Sequence, residues 1–171
     1  MNEETVILVN EADAVIGQMA KLEAHQKGIL HRAFSLFIFN SKGELLLQQR
    51  AMHKYHSPGL WTNTCCSHQR AGESNIEAGK RRLGEEMGIS CELTDVFSFI
   101  YKASFDNGLT EHELDHVMVG QYEANPIINE EEVMDYKWLS LQNLKMDMDK
   151  NPERYTAWFK IILNEYLQRL V

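Results

Sequence analysis

A helix with recognisable signals at both ends divides this chain and restricts the folds open to it. Ser74 and Glu77 form the Ser-x-x-Glu pattern of a capping box, in which each side chain bonds the other's backbone N–H, so a helix is predicted to begin there. Gly88 is expected to end the helix in the left-handed conformation. One helix face is expected to lie against the core because apolar or small residues recur at helical spacing: Ile76, Gly79, Leu83 and Met87.

Strand-like segments lie on both sides of this helix. They are residues 5–9, 31–40, 44–50, 91–105, 109–123 and 132–141. The Gly-containing turn at 41–43 predicts that 31–50 is a β-hairpin, and 151–170 reads as helical, with Pro152 near its beginning. This order predicts an α+β fold, an α/β/α sandwich with a mixed sheet, formed by one domain over residues 1–171.

Charge and composition exclude several classes of protein. The net charge of −8 disfavours a nucleic-acid-binding surface, although a few basic residues and bound cations can still hold a small anion. No apolar run approaches the roughly 18 residues of a membrane span, and the N-terminus lacks the basic region of a signal peptide. Three cysteines, an odd number without Cys-x-x-Cys spacing, indicate free thiols, so we expect a cytoplasmic protein.

A long loop over residues 51–73 contains the adjacent cysteines Cys65 and Cys66. Loops of this length inside a compact domain are usually functional. From their position alone, the two thiols could be structural, redox-active, metal-bound or catalytic. A free cysteine is most often a small buried apolar residue, and we interpret Cys65 and Cys91 in this way.

The segment from Ser67 to Ile89 resembles the Nudix box, with Glu73, Arg81, Glu85 and Glu86 in register. Two positions depart from the pattern: Ser67 replaces the Gly, and Arg82 replaces the first Glu of the helix trio. Carboxylates one turn apart can hold Mg²⁺, whereas a guanidinium at 82 removes a ligand and adds a phosphate-binding group. One cation on Glu86 beside Arg82 could hold a diphosphate, but the several-metal arrangement of a hydrolase is disrupted. The alternative is an ordinary solvated helix with i,i+4 ion pairs.

Histidines and glutamates form a second candidate cluster. Glu111 and Glu113 are two residues apart on a predicted strand, so both carboxylates point to one face. With His25, His31 and His68 they would suit Zn²⁺, Mn²⁺ or Fe²⁺ better than Ca²⁺. Histidines so far apart in sequence are more often unrelated surface or core residues, so spacing alone leaves both interpretations open.

Nearly all of residues 5–160 resembles the type I isopentenyl diphosphate isomerases, which have a Nudix fold. The resemblance is carried by "KLEAH" (21–25), "LLLQQRAMHKYHSPGLWTNTCCSH" (45–68), "GESNIEAGKRRLGEEMGI" (72–89) and "EHELDHV" (111–117). It implies that this chain interconverts isopentenyl and dimethylallyl diphosphate by protonating and deprotonating an alkene.

The resemblance also implies roles for individual residues. Cys66 and Glu113 match the family's catalytic pair, and Tyr101 matches a tyrosine beside that glutamate. One divalent ion (Mn²⁺, Zn²⁺ or Mg²⁺) would be held by His25, His31, His68, Glu111 and Glu113, and Glu86 would bind a Mg²⁺ that bridges to the diphosphate. The substrate-binding positions would be Lys21, Arg50, Lys54 and Arg82 for the phosphates and Trp158, with Trp61 as a further candidate, for the hydrocarbon cation.

Two other functions compete with the isomerase. A Nudix hydrolase of a nucleoside diphosphate derivative would release phosphate and would not need Cys66. A metal-storing or nucleotide-sensing module would explain the ligands but not Cys66, Tyr101 and Glu113 together. For the isomerase we expect a small prenyl diphosphate as the partner, no nucleic acid or membrane, and a monomer or weak dimer. His53, His56, His112 and His116 carry no signal in the sequence.

Overall fold

The computed structural model describes residues 4–170 and has a mixed β-sheet with helices on both faces. The strands are β1 (Thr5–Val9), β2 (Val15–Ala20), β3 (His31–Phe39), β4 (Glu44–Arg50), β5 (Trp61–Thr62), β6 (Cys65–Ser67), β7 (Leu93–Ser104), β8 (Thr110–Gln121) and β9 (Val133–Ser140). The helices are α1 (Lys21–Lys27), α2 (Asn75–Met87), α3 (Leu141–Lys150), α4 (Ala157–Glu165) and α5 (Leu167–Leu170), with a 3₁₀ turn at Pro152–Arg154. Among these residues, no helix is long and apolar enough to cross a membrane.

Strand β3 is buried on both faces, and its alternating side chains build two cores. Phe37 and Phe39 pack with helices α3, α4 and α5 on one face of the sheet. Phe34, Leu36 and Ile38 pack with α2 on the other face. Because successive strand residues point to opposite faces, the apolar residues of β3 on both faces are covered by a layer of helices on each side. The predicted α/β/α sandwich is confirmed.

The register of four neighbouring strands brings polar side chains together. In the parallel pairing of β3 with β8, His31 lies opposite Glu113. In the antiparallel pairing of β8 with β7, Glu113 lies opposite Tyr101. On the other edge of β3, Cys66 of β6 lies opposite Ser35. Hydrogen bonding of the backbone therefore brings together residues that are far apart in sequence.

The predicted helix at Ser74 is confirmed in detail. Ser74 accepts a hydrogen bond from the backbone of Glu77, and the Glu77 side chain bonds the Ser74 backbone in return. Gly88 has a φ of 63° and caps the C-terminus. A Cβ atom at Gly88 would also meet the Ile127 carbonyl oxygen at 2.8 Å, so glycine is required there for two reasons.

The predicted hairpin over residues 31–50 is only partly correct. Both strands form, but β3 and β4 pair only at Phe39 and Leu45, and β4 instead pairs along its length with β9. Thr64 holds the two strands apart, since its hydroxyl accepts from the Ile38 N–H and donates to the Leu46 carbonyl. The long loop over 51–73 is therefore not wholly irregular, because it supplies β5 and β6.

Two further predictions need correction. Strand β2 and helix α1 have no counterpart among the elements predicted from the sequence, although α1 carries Lys21 and His25. The C-terminal helix begins at Ala157 rather than near Pro152, because Pro152 starts a single 3₁₀ turn that ends at Arg154.

Candidate active site

A cavity of about 250 Å³ is lined by residues of both helical layers, Arg82 of α2 and Trp158 of α4, and by residues of the strands between them. Ten of the residues predicted from the sequence line it: Lys21, Arg50, Lys54, Cys66, His68, Arg82, Tyr101, Glu111, Glu113 and Trp158. His25 and His31 lie directly behind the wall, within one ligand cluster with His68 and Glu113. The cavity is smaller than the roughly 300–1,000 Å³ typical of sites for drug-sized ligands, so it suits a small molecule.

The imidazoles of His25 and His31 are oriented by backbone carbonyls. His25 Nδ1 donates to the Lys21 carbonyl at 2.7 Å, and His31 Nδ1 donates to the Ile29 carbonyl at 2.8 Å. A carbonyl can only accept, so in the neutral ring the Nε2 atom of each histidine carries a lone pair directed into the cluster. This arrangement is typical of metal-binding histidines, whose second nitrogen is held by a hydrogen bond.

The donor set fits a divalent metal ion. His31 Nε2 and His68 Nε2 lie 2.9 and 2.8 Å from the same Glu113 oxygen, Oε2. A proton or a cation must lie between a lone pair and a carboxylate oxygen at such a distance. Two buried imidazole nitrogens of the cluster, His25 Nε2 and His68 Nδ1, have no hydrogen-bond partner among the described residues. Buried polar atoms are rarely left in this way, and imidazole with carboxylate is a usual ligand set for divalent transition metals.

Burial and mutual charge separate the pKa values of the titratable groups. Burial raises the pKa of Glu111 well above its usual range, and the neighbouring Glu113 carboxylate adds to the rise. Burial alone would raise the pKa of Glu113 too, but contacts with His31 and His68 outweigh it and hold that pKa well below the usual range. Burial lowers the pKa of His68 to about 4. Near neutral pH, Glu113 is therefore a carboxylate and His68 a neutral ligand.

Tyr101 contacts both carboxylates from the adjacent strand. Its hydroxyl lies 2.5 Å from Glu113 Oε1 and 3.3 Å from Glu111 Oε1. Burial raises the pKa of Tyr101 well above its usual range, and the charges of Glu111 and Glu113 act in the same direction. The Tyr101 hydroxyl therefore keeps its proton and donates a short hydrogen bond to Glu113.

The Cys66 thiol faces the same cavity, and its neighbour faces away. The Cys66 thiol donates to Asn63 Oδ1 at 3.1 Å, and Cys66 Sγ accepts a hydrogen bond from Trp158 Nε1 at 2.9 Å. Removal from water, together with the nearby charge of Asp115, raises the pKa of Cys66 to about 12. Cys65 points into the core beneath α2 and is fully buried, as alternation along β6 predicts.

Four cations line the cavity and are held by neighbours. Lys54 forms an ion pair with Glu132, and Arg82 lies 3.5 Å from the same Glu132. Arg50 donates to two carbonyls of its own loop, those of His56 and Ser57, at 3.2 Å each. Four positive side chains around one small cavity, in a protein of net charge −8, concentrate positive charge there, as binding of an anion such as a diphosphate would require.

Glu86 and Trp61 are not among the residues that line the cavity. Arg82 contacts Glu86 Oε2 through Nε at 3.1 Å and Nη2 at 2.7 Å, and Gln48 donates to Oε1 at 3.1 Å. These contacts give Arg82 a counter-charge, and the role of Glu86 as a Mg²⁺ ligand stays a prediction. Trp61 instead pairs through its backbone with the segment before α4 and lies beneath the Lys137 ammonium group, 4.3 Å from its ring.

Two residues without a signal in the sequence belong to the site. His56 is buried, and its Nε2 lies 3.5 Å from Glu111 Oε2. Burial lowers the pKa of His56 to about 2, and the Arg50 charge acts in the same direction. Glu132 lines the cavity between Lys54 and Arg82. His56 lies in an irregular loop and Glu132 in an acidic run, so no periodic pattern in the sequence distinguished either residue.

Known proteins resemble this chain in sequence as well as in fold. The NUDIX domain family matches residues 29–159. The isopentenyl-diphosphate Delta-isomerase 2 of Photorhabdus laumondii is 54% identical over 162 residues, covering 95% of this chain and 92% of that protein. The isopentenyl-diphosphate Delta-isomerase of Serratia proteamaculans is 50% identical over 163 residues, which cover 95% of this chain and 91% of that protein.

Solved structures agree on the fold. A crystal structure of a Deinococcus radiodurans protein superposes with a TM-score of 0.77 at 20% identity, covering 95% of this chain and 99% of that one. A MutT protein from Methanosarcina mazei Go1 superposes with a TM-score of 0.67 at 21% identity, covering 81% and 94%. At such identities the likeness concerns the fold alone. By its sequence and its fold, the chain belongs to the Nudix family and, within that family, to the isopentenyl-diphosphate Delta-isomerases.

Proposed function

We propose that this protein interconverts isopentenyl diphosphate and dimethylallyl diphosphate. The isomerases it resembles carry this substrate in their name. The observation that supports the proposal most is the composition of one small cavity. It combines a protonated thiol, a carboxylate hydrogen-bonded to a phenol, and a set of four cations. A hydrolase needs water and a metal-bound diphosphate. An alkene isomerase instead needs two proton-transfer groups and a cavity from which water is excluded.

The reaction adds one proton to the substrate and removes another. A proton adds to the terminal carbon of the alkene, and the electron pair of the double bond leaves a cation at the branched carbon. Loss of a proton from the adjacent carbon on the diphosphate side restores a double bond in its new position. The net proton count is unchanged, so one group must donate and another must accept during the same turnover.

Cys66 and the Glu113–Tyr101 pair are the two groups we assign to these transfers. Cys66 holds a proton on sulfur because its pKa is raised to about 12. The Glu113 carboxylate is free to accept a proton, and the Tyr101 hydroxyl donates a hydrogen bond to it. Since the reaction is reversible, each group acts as an acid in one direction and as a base in the other. Each turnover then leaves the proton on the opposite group, from which it must return.

A divalent ion would be held by His25, His31, His68, Glu111 and Glu113, the cluster whose donor atoms converge. When bound, it supplies positive charge that fixes the two carboxylates and increases the acidity of groups that donate to them. The protein's own residues orient the catalytic carboxylate and stabilise the cation. Tyr101 keeps Glu113 oriented toward the cavity, and Trp158 presents its ring, which can stabilise a cation through the quadrupole.

Binding of the diphosphate is assigned to Lys21, Arg50, Lys54 and Arg82. Glu86 holds Arg82 in place, and no step of the proposed reaction passes through a Mg²⁺ ion on Glu86. The hydrocarbon end then lies among Trp158, Tyr101 and Cys66, where water would otherwise trap the carbocation as an alcohol. Because Cys66 has to remain a free thiol, we propose that the protein acts in the reducing cytoplasm, on a free small molecule.

Proton NMR of isopentenyl diphosphate with the protein and divalent metal in D₂O tests the proposal. Dimethylallyl diphosphate that carries deuterium, without release of phosphate or pyrophosphate, is the expected result. Release of phosphate would overturn the isomerase in favour of a hydrolase. Unchanged substrate with a metal-loaded protein would favour a module that does not catalyse this reaction.

A further inference from the structure

We propose that His56 is an additional ligand of the divalent ion and connects the substrate-binding loop to the metal. The inference deepens the proposed function, on whose metal site it rests. It concerns a residue of the loop between β4 and β5, which also carries Lys54 and begins just after Arg50 at the end of β4. The position of the His56 ring and the arrangement of the neighbouring donors carry the argument.

Two overlapping donor groups converge at the site. The first contains His25, His31, His68 and Glu113, and the second contains His25, His56 and Glu111; within each group the donor atoms lie within 4.8 Å of one another. All six side chains are buried. Because His25 belongs to both groups, the two groups could surround one shared ion or two separate ions.

The hydrogen bonding of His25 decides this question. Its Nδ1 donates to the Lys21 carbonyl, so only Nε2 remains available to a metal. An imidazole nitrogen has a single lone pair and cannot bind two ions. If both groups bind a cation they must therefore share it, and the proposal places His56 on the same ion as the other five residues.

The ring of His56 is held where a ligand is needed. It stacks on Phe105 at a centroid distance of 4.9 Å with an interplanar angle of 7°, and it meets the edge of Trp158 at 6.0 Å. Its Nδ1 lies 3.3 Å from the Ser57 hydroxyl, which leaves Nε2 directed toward Glu111. Packing that fixes the ring in this way reduces the entropy lost when the nitrogen binds a metal.

Six protein donors indicate the type of metal. Four imidazoles and two carboxylates would supply six donors, a number that suits Mn²⁺ or Fe²⁺, whereas Zn²⁺ in protein sites usually takes four ligands. The ligand at position 56 also has a consequence for substrate binding. The His56 carbonyl accepts from Arg50, and Lys54 lies two residues away, so binding of the ion would fix the loop that carries both cations.

His56→Phe tests the inference because phenylalanine keeps the stack on Phe105 and removes the nitrogen. The matched control is His53→Phe, in the same loop at an exposed position that also lines the cavity. Binding of Mn²⁺ and Co²⁺ to the apoprotein is measured directly, together with the visible spectrum of the Co²⁺ form. We expect His56→Phe to weaken metal binding by at least about 10-fold, the lower limit seen for weaker ligand-supporting contacts. His53→Phe should bind like the wild type.

The Co²⁺ spectrum and a second variant separate a ligand from a packing residue. Loss of a ligand should strengthen the visible absorption, since the weak bands of a six-coordinate ion become more intense at lower coordination. His56→Gln, which can still contact Glu111, should give the same loss of affinity. Wild-type affinity and spectrum in both folded variants would overturn the inference and leave the isomerase intact. If the wild-type protein bound neither metal, the metal site of the proposed function would fall as well.

Discussion

Removal of one N–H group next to Cys66 isolates the contribution of Trp158 to proton transfer. Trp158 is 2% exposed and donates from Nε1 to Cys66 Sγ at 2.9 Å. Trp158→Phe deletes this donor but keeps an aromatic ring, so most of the packing and the quadrupole remain. In the proposed reaction Cys66 passes through the thiolate, which its raised pKa makes unfavourable and which the indole N–H stabilises.

The size of the effect follows from the kind of hydrogen bond. A hydrogen bond to a charged group contributes about 1.5–3 kcal/mol. Since 1.36 kcal/mol corresponds to tenfold in rate, kcat should fall by about 10- to 150-fold. KM should change little, because the diphosphate is bound by other residues. In addition, the pH at which Cys66 reacts with iodoacetamide should shift upward.

Trp138→Phe is the matched control. Trp138 also donates from its indole, to Asn125 Oδ1 at 3.1 Å, but it packs against the other core. The two variants are compared by isomerase kinetics, with urea unfolding to correct for stability. A kcat for Trp158→Phe within twofold of that of Trp138→Phe would refute the role given to the N–H group.

Three further predictions concern other residues. Cys66→Ala should abolish turnover without loss of bound metal, whereas Cys65→Ala should be tolerated, because Cys65 packs beneath α2; kinetics and metal analysis check both. Glu86→Gln should raise KM for isopentenyl diphosphate, because Arg82 loses the partner that holds it in the cavity, as measured by steady-state kinetics. His116 should make stability depend on pH: burial opposes its charged form, but hydrogen bonds to Asp95 and Asp13 outweigh it and raise the pKa above the ordinary 6.5. Its stabilisation is thus fully present below the unfolded pKa and is lost as pH rises through the folded pKa, which urea unfolding across that range should detect.

Each of these predictions has an outcome that contradicts it. Equal losses in the two cysteine variants would undo the choice of Cys66. A higher Mg²⁺ requirement in Glu86→Gln, with KM unchanged, would show that Glu86 binds the ion as the sequence resemblance implies. His116→Gln should flatten the pH dependence of stability, and an unchanged slope would mean that other groups cause it.

The helix at Ser74 and the strands that flank it could be read from the sequence because their signals are local. A capping box, a terminal glycine and alternating apolar residues depend on hydrogen bonds and spacings within a few residues. Alternation also explains why Cys66 rather than Cys65 faces the cavity, and why Glu111 and Glu113 share a face. The family motifs by themselves identified most of the residues that line the cavity.

Only the tertiary structure determined which strands pair and therefore which of these residues meet. The hairpin over 31–50 opens because Thr64, from a distant loop, bonds to both strands. On the other edge of β3, β8 pairs in parallel and brings Glu113 beside His31. The same holds for His56, which reaches Glu111 from an irregular loop, and for Glu86, whose carboxylate is occupied by Arg82. Such contacts depend on the register and packing of segments far apart in the chain, and no local pattern of residues records them.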